Sequence, residues 1–255
     1  MNENWIGLIP AAGKGLRLGL PYPKELYPII QDNRYKPVSQ FIVDQLVEAG
    51  VHHIVFIINE SKHQLMGYFR SEAQYNCTFS YVYQDPWASM SSTSPGLAQA
   101  IDSSYHLIKG RTVFFGMPDT IISPSNVFAI SYPRIKDDFD FALCLFQTTT
   151  PEKFGMVELD ENDRVTRIFD KPNQTLLKYM WGAILWNGKF TEFIHEMIHL
   201  NGMSDFAEIM NRAIKEGLNG QGIIIKDGTF NDLGTYDEIM KLDAQFRAEN
   251  LEKKD

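Results

Sequence analysis

Residues Ile9 to Pro28 read IPAAGKGLRLGLPYPKELYP, and the use of the glycines in that stretch decides what kind of sheet precedes it. The apolar run Trp5 to Pro10 leads directly into Gly13, Lys14, Gly15, Leu16 and Arg17. Glycine tolerates positive φ and lets the backbone approach a ligand, so successive N–H groups after such a strand can line a phosphate. Arg17 and Lys24 can then offset phosphate charge, Arg as a planar fork of donors and Lys as a mobile point charge. Two familiar phosphate loops fail here. The Walker loop needs Ser or Thr after its lysine, and Lys14 is followed by Gly15. The dinucleotide fingerprint needs a third glycine at 18, where Leu18 stands. The glycines alone leave a structural turn and a phosphate loop equally open.

Outward from this loop, apolar runs rich in β-branched and aromatic residues recur at Trp5 to Pro10, His53 to Asn59, Thr78 to Tyr83 and Thr112 to Phe115. Helical stretches separate them at Val38 to Ala49, Lys62 to Ser71 and Gly96 to Ile108, with Phe41, Leu46 and Ala49 near one face of the first. This alternation predicts an α/β fold with a mainly parallel sheet flanked by helices. Ligands of such sheets bind beyond the carboxyl ends of the strands, where the loop after Pro10 falls. From Phe141 the pattern changes. Phe141 to Gln147, Gly155 to Leu159, Val165 to Phe169 and Tyr179 to Trp186 are strands with little helix between them, and Glu161-Asn162-Asp163 supplies a hairpin turn. A small antiparallel or mixed extension of the sheet over the site is expected. Helices return at Lys189 to Leu200, Asp205 to Glu216 and Tyr236 to Asn250. With no repeat or linker, one domain over 1–255 is expected, residues 1–120 serving the loop's ligand and 121–255 a second substrate.

The 255 residues are 44% apolar and 22% charged with a net charge of −8, which argues against a nucleic-acid binder but leaves room for a local phosphate pocket. Cys77 and Cys144 have neither metal-ligand spacing nor the density of a disulfide scaffold. No basic stretch precedes an apolar one at the N-terminus and no run approaches the ~20 residues of a membrane span, so a cytoplasmic protein is expected. His195 and His199 have metal spacing on a helix, but no third ligand is evident, and they are read as structural.

The whole string from Pro10-Ala-Ala-Gly-Lys-Gly-Leu-Arg17 to Lys24-Glu25-Leu26-Tyr27-Pro28 resembles the signature of the sugar-1-phosphate nucleotidyltransferases. Its Pro-Lys-Glu portion looks most like the glucose-1-phosphate uridylyltransferases. Leu16 departs from the family's usual threonine. Tyr83-Gln84, followed by Ser94-Pro95-Gly96-Leu97, is similar to the base-recognition segment of the thymidylyltransferases. Gly116-Met117-Pro118-Asp119 looks like the family's strand-end glycine and aspartate. Gly155-Met156-Val157-Glu158-Leu159-Asp160 and Asp170-Lys171-Pro172 resemble its sugar-binding segments, Asp170 standing for the usual glutamate. Asn231-Asp232-Leu233-Gly234-Thr235 is similar to its closing motif.

The resemblance implies a Rossmann-like nucleotidyltransferase fold of the GT-A-like type. The implied activity is NTP plus sugar-1-phosphate giving NDP-sugar and pyrophosphate, within NDP-sugar and cell-surface polysaccharide biosynthesis. It assigns catalysis to Arg17, Lys24 and Asp119, and Mg²⁺ to Asp119 and Asp232. Nucleotide binding falls to Ala11, Ala12, Gly13, Lys14, Gly15, Glu25, Gln84, Pro95 and Gly96. The sugar phosphate falls to Gly155, Asp170, Lys171 and Trp181, though Trp181 and Trp186 serve equally well as core residues. Gln84 and Glu25 favour UTP or dTTP. A cytidylyltransferase, or a lapsed NDP-sugar-binding regulator, stays open. No nucleic acid or membrane partner is expected, homo-oligomers are common in the family, and the short tail after Asp232 leaves no room within this chain for an appended β-helix domain.

Overall fold

The computed structural model describes residues 4–13, 15, 18–31, 34–70, 72–84 and 96–252. The first half runs β1 (Trp5–Pro10), an antiparallel pair β2 (Pro28–Gln31) and β3 (Arg34–Pro37), α1 (Val38–Glu48), β4 (His53–Ile58), α2 (His63–Tyr68), α3 (Glu72–Tyr75), β5 (Thr78–Tyr83), α4 (Leu97–Ser103), α5 (Tyr105–Ile108) and β6 (Thr112–Gly116). The second runs β7 (Thr120–Ser123), α6 (Val127–Ser131), β8 (Phe141–Gln147), β9 (Gly155–Leu159), β10 (Val165–Asp170), β11 (Tyr179–Trp186), α7 (Gly188–Asn201), α8 (Phe206–Lys215), β12 (Gly220–Ile224), β13 (Thr229–Asp232) and α9 (Tyr236–Glu252).

Among the described residues nine strands form the main sheet in the order β10-β9-β11-β6-β1-β4-β5, with β8 paired to β11 and β12 to β8. β6, β1, β4 and β5 are parallel. β1, β4 and β6 are apolar apart from His53 and Thr112 at the start of the last two, because helices cover both of their faces. Along β4, Val55 and Ile57 enter the core shared with α4, α7 and α8, while Ile54, Phe56 and Ile58 enter the core under α1 and α2. β5 lies at the edge and is only half-buried, which suits its mixed sequence TFSYVY.

β11 turns the chain back. It pairs antiparallel with β6 on one side and β8 on the other, and touches β9 at Met180. The extension is therefore a continuation of one sheet, mixed because β12 is parallel to β8. α7 is capped by Asn187, whose side chain accepts the Phe190 N–H, and α8 by Asp205, which accepts from Glu208 N at 2.8 Å. On α8, Phe206, Ile209, Met210 and Ala213 follow the spacing of one buried face.

Three expected helices differ in detail. Lys62 to Ser71 is a tight turn followed by the short α2. Gly96 to Ile108 breaks at Ser104, whose hydroxyl donates to the Ile101 carbonyl at 2.6 Å. α1 is buried at seven positions instead of along one stripe, because β7, β3 and α6 pack around it. A further small ribbon, β7 with β13, stands apart from the main sheet, and α9 closes over it as Ile239 and Leu242 join Ile121 and Leu233 in one apolar cluster. Among the described residues no helix is long and apolar enough to cross a membrane.

Candidate active site

The loop after β1 is held from below. Ala11 N donates to Ile57 O at 2.7 Å, and the Asn59 side chain donates to Ala12 O at 2.6 Å. Asn59 also accepts the Ser61 N–H, so one residue after β4 shapes both segments. Gly15 has φ +62°, a conformation that favours glycine. Lys14, Leu16 and Arg17 lie outside the described residues. Beneath the loop Glu25 is turned inward, 1% exposed, and Lys62 Nζ donates to both its oxygens at 2.8 and 2.7 Å. Burial pushes the Glu25 carboxyl up, and Lys62 pulls it back only in part. The expected nucleotide ligand Glu25 therefore sits as a buried support. Lys62 was not foreseen, since in sequence it looks like any surface lysine after a turn.

The two aspartates come together through the β7–β13 ribbon. Asp232 is opposite Thr120, the neighbour of Asp119, and Leu233 N donates to Asp119 O at 2.9 Å. Lys24 is paired with the Asp119 carboxylate. Burial lowers the Lys24 ammonium, but Asp119 foremost, then Glu25 and Asp232, more than offset it, so its pKa is raised. Asp119 and Asp232 are hard oxygen donors aimed at one cavity, and that donor set fits Mg²⁺.

The cavity, of about 410 Å³, collects residues from seven parts of the chain. It brings Asp119 and Asp232 together with Gly155, Asp170, Lys171, Trp181 and Gly96. Gly155 is required sterically: a Cβ there would lie 2.3 Å from Trp181 Nε1. Trp181 leans on Phe206 edge-on, with ring centroids 6.3 Å apart, and forms one wall. Its Nε1 is buried without a hydrogen-bond partner among the described residues. Lys171 is held at φ +46°, unusual for a lysine, while its N–H donates to Phe154 O at 3.0 Å. Its ammonium is exposed and 4.0 Å from Asp170. Trp186 is core, its indole N–H donating to Thr191 at 2.9 Å.

Gln84 follows the edge strand β5, 9% exposed, and its buried Nε2 has no hydrogen-bond partner among the described residues. The Gly96 N–H is taken by the Gln99 side chain at 2.9 Å, which caps α4. Pro95 lies outside the described residues. Lys153, Phe154 and Phe230 also line the cavity, and none was foreseen. Among the described residues the cluster of three donor side chains is elsewhere: Asp102 on α4 supplies the third partner of His195 and His199 that was not evident in the sequence.

The profile of the family described as "Nucleotidyl transferase" matches residues 6–249. A glucose-1-phosphate thymidylyltransferase of Neisseria meningitidis is 24% identical over 247 residues, 91% of this chain and 79% of that protein. The bifunctional protein GlmU of Methanococcus vannielii is 24% identical over 249 residues, and the chain spans 54% of its length. Among solved structures, a Bacillus anthracis protein assigned as a glucose-1-phosphate thymidylyltransferase superposes with a TM-score of 0.80 at 22% identity, covering 95% of each chain. A UDP-glucose pyrophosphorylase superposes at 0.77 and 22% identity, covering 96% of this chain and 98% of that one. The chain is a member of the nucleotidyl transferase family, among the sugar-1-phosphate nucleotidyltransferases.

Proposed function

We propose that this protein joins UTP or dTTP to a sugar-1-phosphate, releasing pyrophosphate and an NDP-sugar. The observation that carries the reading is the convergence of Asp119, Asp232, Asp170, Lys171 and Trp181 on one cavity. A sugar-phosphate oxygen attacks the α-phosphorus, the bond from that phosphorus to the β-phosphate oxygen breaks, and pyrophosphate leaves with its electron pair. The nucleophile is already ionised, so no strong base is needed. What opposes the step is anion repulsion, about 4 kcal/mol for two unit charges ~4 Å apart at an effective dielectric near 20. Positioning and charge neutralisation therefore carry the rate.

Asp119 and Asp232 would hold Mg²⁺, which when bound neutralises phosphate charge as a Lewis acid. Lys24 shares its ammonium between Asp119 and the incoming triphosphate, and Arg17 grips the departing pyrophosphate. Lys171 takes the phosphate of the sugar substrate, with Asp170 and Trp181 holding its ring. The buried Gln84 amide donor, unpaired among the described residues at a cost of about 1–3 kcal/mol, supports binding of a base carbonyl oxygen. A matrix of UTP, dTTP, CTP, GTP and ATP against several sugar-1-phosphates with Mg²⁺, scored by pyrophosphate release, tests the reading. UTP or dTTP should give the highest kcat/KM, and a lead for CTP or GTP would refute the base assignment.

A further inference from the structure

The cluster of Asp102, His195 and His199 lies on α4 and α7, and none of the three lines the cavity. His195 and His199 are one helical turn apart on the same face, with ring centroids 4.3 Å apart. Asp102 reaches between them: His195 Nδ1 is 2.7 Å from Oδ1, and His199 Nε2 is 2.8 Å from Oδ2. Donor atoms from all three lie within 4.8 Å of one another. Donors around an ion with bonds of ~2.0–2.1 Å stand roughly 3–4 Å apart, so the side chains need only small shifts.

Two further observations favour a cation. The Asp102 side chain is only 13% exposed, yet among the described residues it pairs with no lysine or arginine, its two partners being the imidazoles of His195 and His199. The neighbourhood is also acidic. Glu192 and Glu196 flank His195 on α7, and the Tyr105 hydroxyl donates to Glu192 at 2.6 Å. The Tyr105 ring stacks on His195 at 3.9 Å and 10°, fixing the imidazole plane as supporting residues do at metal sites.

We propose that Asp102, His195 and His199 bind one transition-metal dication of the zinc, nickel or copper class, with water completing the coordination. Two imidazoles and one carboxylate suit that class, whereas Mg²⁺ prefers oxygen donors alone. The ion would clamp α4 to α7, and the N-terminal end of α4 carries Gly96 and Leu97 into the catalytic cavity.

Zn²⁺ titration calorimetry and thermal melting of the untagged full chain test this, with Co²⁺ absorption as an independent probe. The comparison set is wild type, His195→Gln/His199→Gln, Asp102→Asn, and Asp119→Asn/Asp232→Asn. One equivalent should bind to wild type and to the Asp119/Asp232 variant. Affinity should fall at least ~10-fold in the histidine and Asp102 variants. At ~100 Kd of Zn²⁺ the melting temperature of wild type should rise by roughly 5–10 °C, and that rise should vanish in the histidine variant. No saturable binding, binding unchanged without the histidines, or binding lost only in the Asp119/Asp232 variant each overturns the proposal.

Discussion

Glu25 and Lys62 form a fully buried ion pair directly under the loop that carries Gly15, a costly arrangement unless geometry requires it. Lys62→Met would leave the Glu25 carboxylate alone in the interior, and a loss of about 3–5 kcal/mol in urea unfolding is expected. Because burial raises the Glu25 pKa above 4.5, the folded state holds that proton more tightly than the unfolded chain does. The Lys62→Met deficit should therefore be smallest near pH 4.5 and below, where Glu25 is protonated in both folded proteins, and grow as pH rises above that value toward neutrality. The double variant Glu25→Leu/Lys62→Met should recover most of the stability, while a deficit independent of pH would mean lost packing in place of lost charge. At the cavity, Gly155→Ala would drive a methyl into the Trp181 indole. The expected result is a KM for the sugar phosphate raised at least ~10-fold with the NTP KM little changed, read in steady-state kinetics. Equal changes in both would place Trp181 outside the sugar pocket.

The β7–β13 ribbon sets the spacing of the two aspartates, and it depends on α9 to cover it. α9 is pinned by Glu238, which accepts from Lys153 at 2.9 Å and from the Thr235 hydroxyl at 2.9 Å. Burial raises the Glu238 pKa, but these bonds outweigh it and hold the group below its ordinary 4.5. A depressed carboxylate contributes stability above its unfolded value and loses it as pH falls through the folded one. Glu238→Gln should thus cost about 0.2–1 kcal/mol at neutral pH, given the half-exposed Lys153, and nothing well below pH 4.5. Chemical denaturation at several pH values checks this, and a cost that persists in acid would contradict it. This ribbon was not legible beforehand. β7 and β13 have four residues each, too short for alternation to register, and β12 reads GQGII, where glycines mask a buried strand. β1, β4 and β6 were legible because continuous apolar runs between helical stretches have few other uses.

For the whole molecule, the parallel strands deliver the Gly13 loop, Asn59, Gln84 and Asp119 to one edge of the sheet, and β11 returns Trp181 to it. That convergence was readable from motif order for Asp119, Asp232, Gly155, Asp170, Lys171 and Trp181, because each sits on a segment whose residue types resemble the family. It was not readable for Lys62 or Lys153, whose partners Glu25 and Glu238 are 37 and 85 positions away. Nor was it readable for Asp102, which meets His195 only because α4 packs on α7. In the proposed reaction Asp119 and Asp232 would hold a metal in the cavity where Lys171 would take a phosphate, so changing the two acids is the most direct test. Pyrophosphate release from UTP or dTTP with a sugar-1-phosphate should require Mg²⁺ in the wild type. It should fall by roughly 10²–10³-fold or more in both Asp119→Asn and Asp232→Asn, with melting temperatures little changed. Near-normal, sugar-phosphate-dependent release in either folded variant would contradict it.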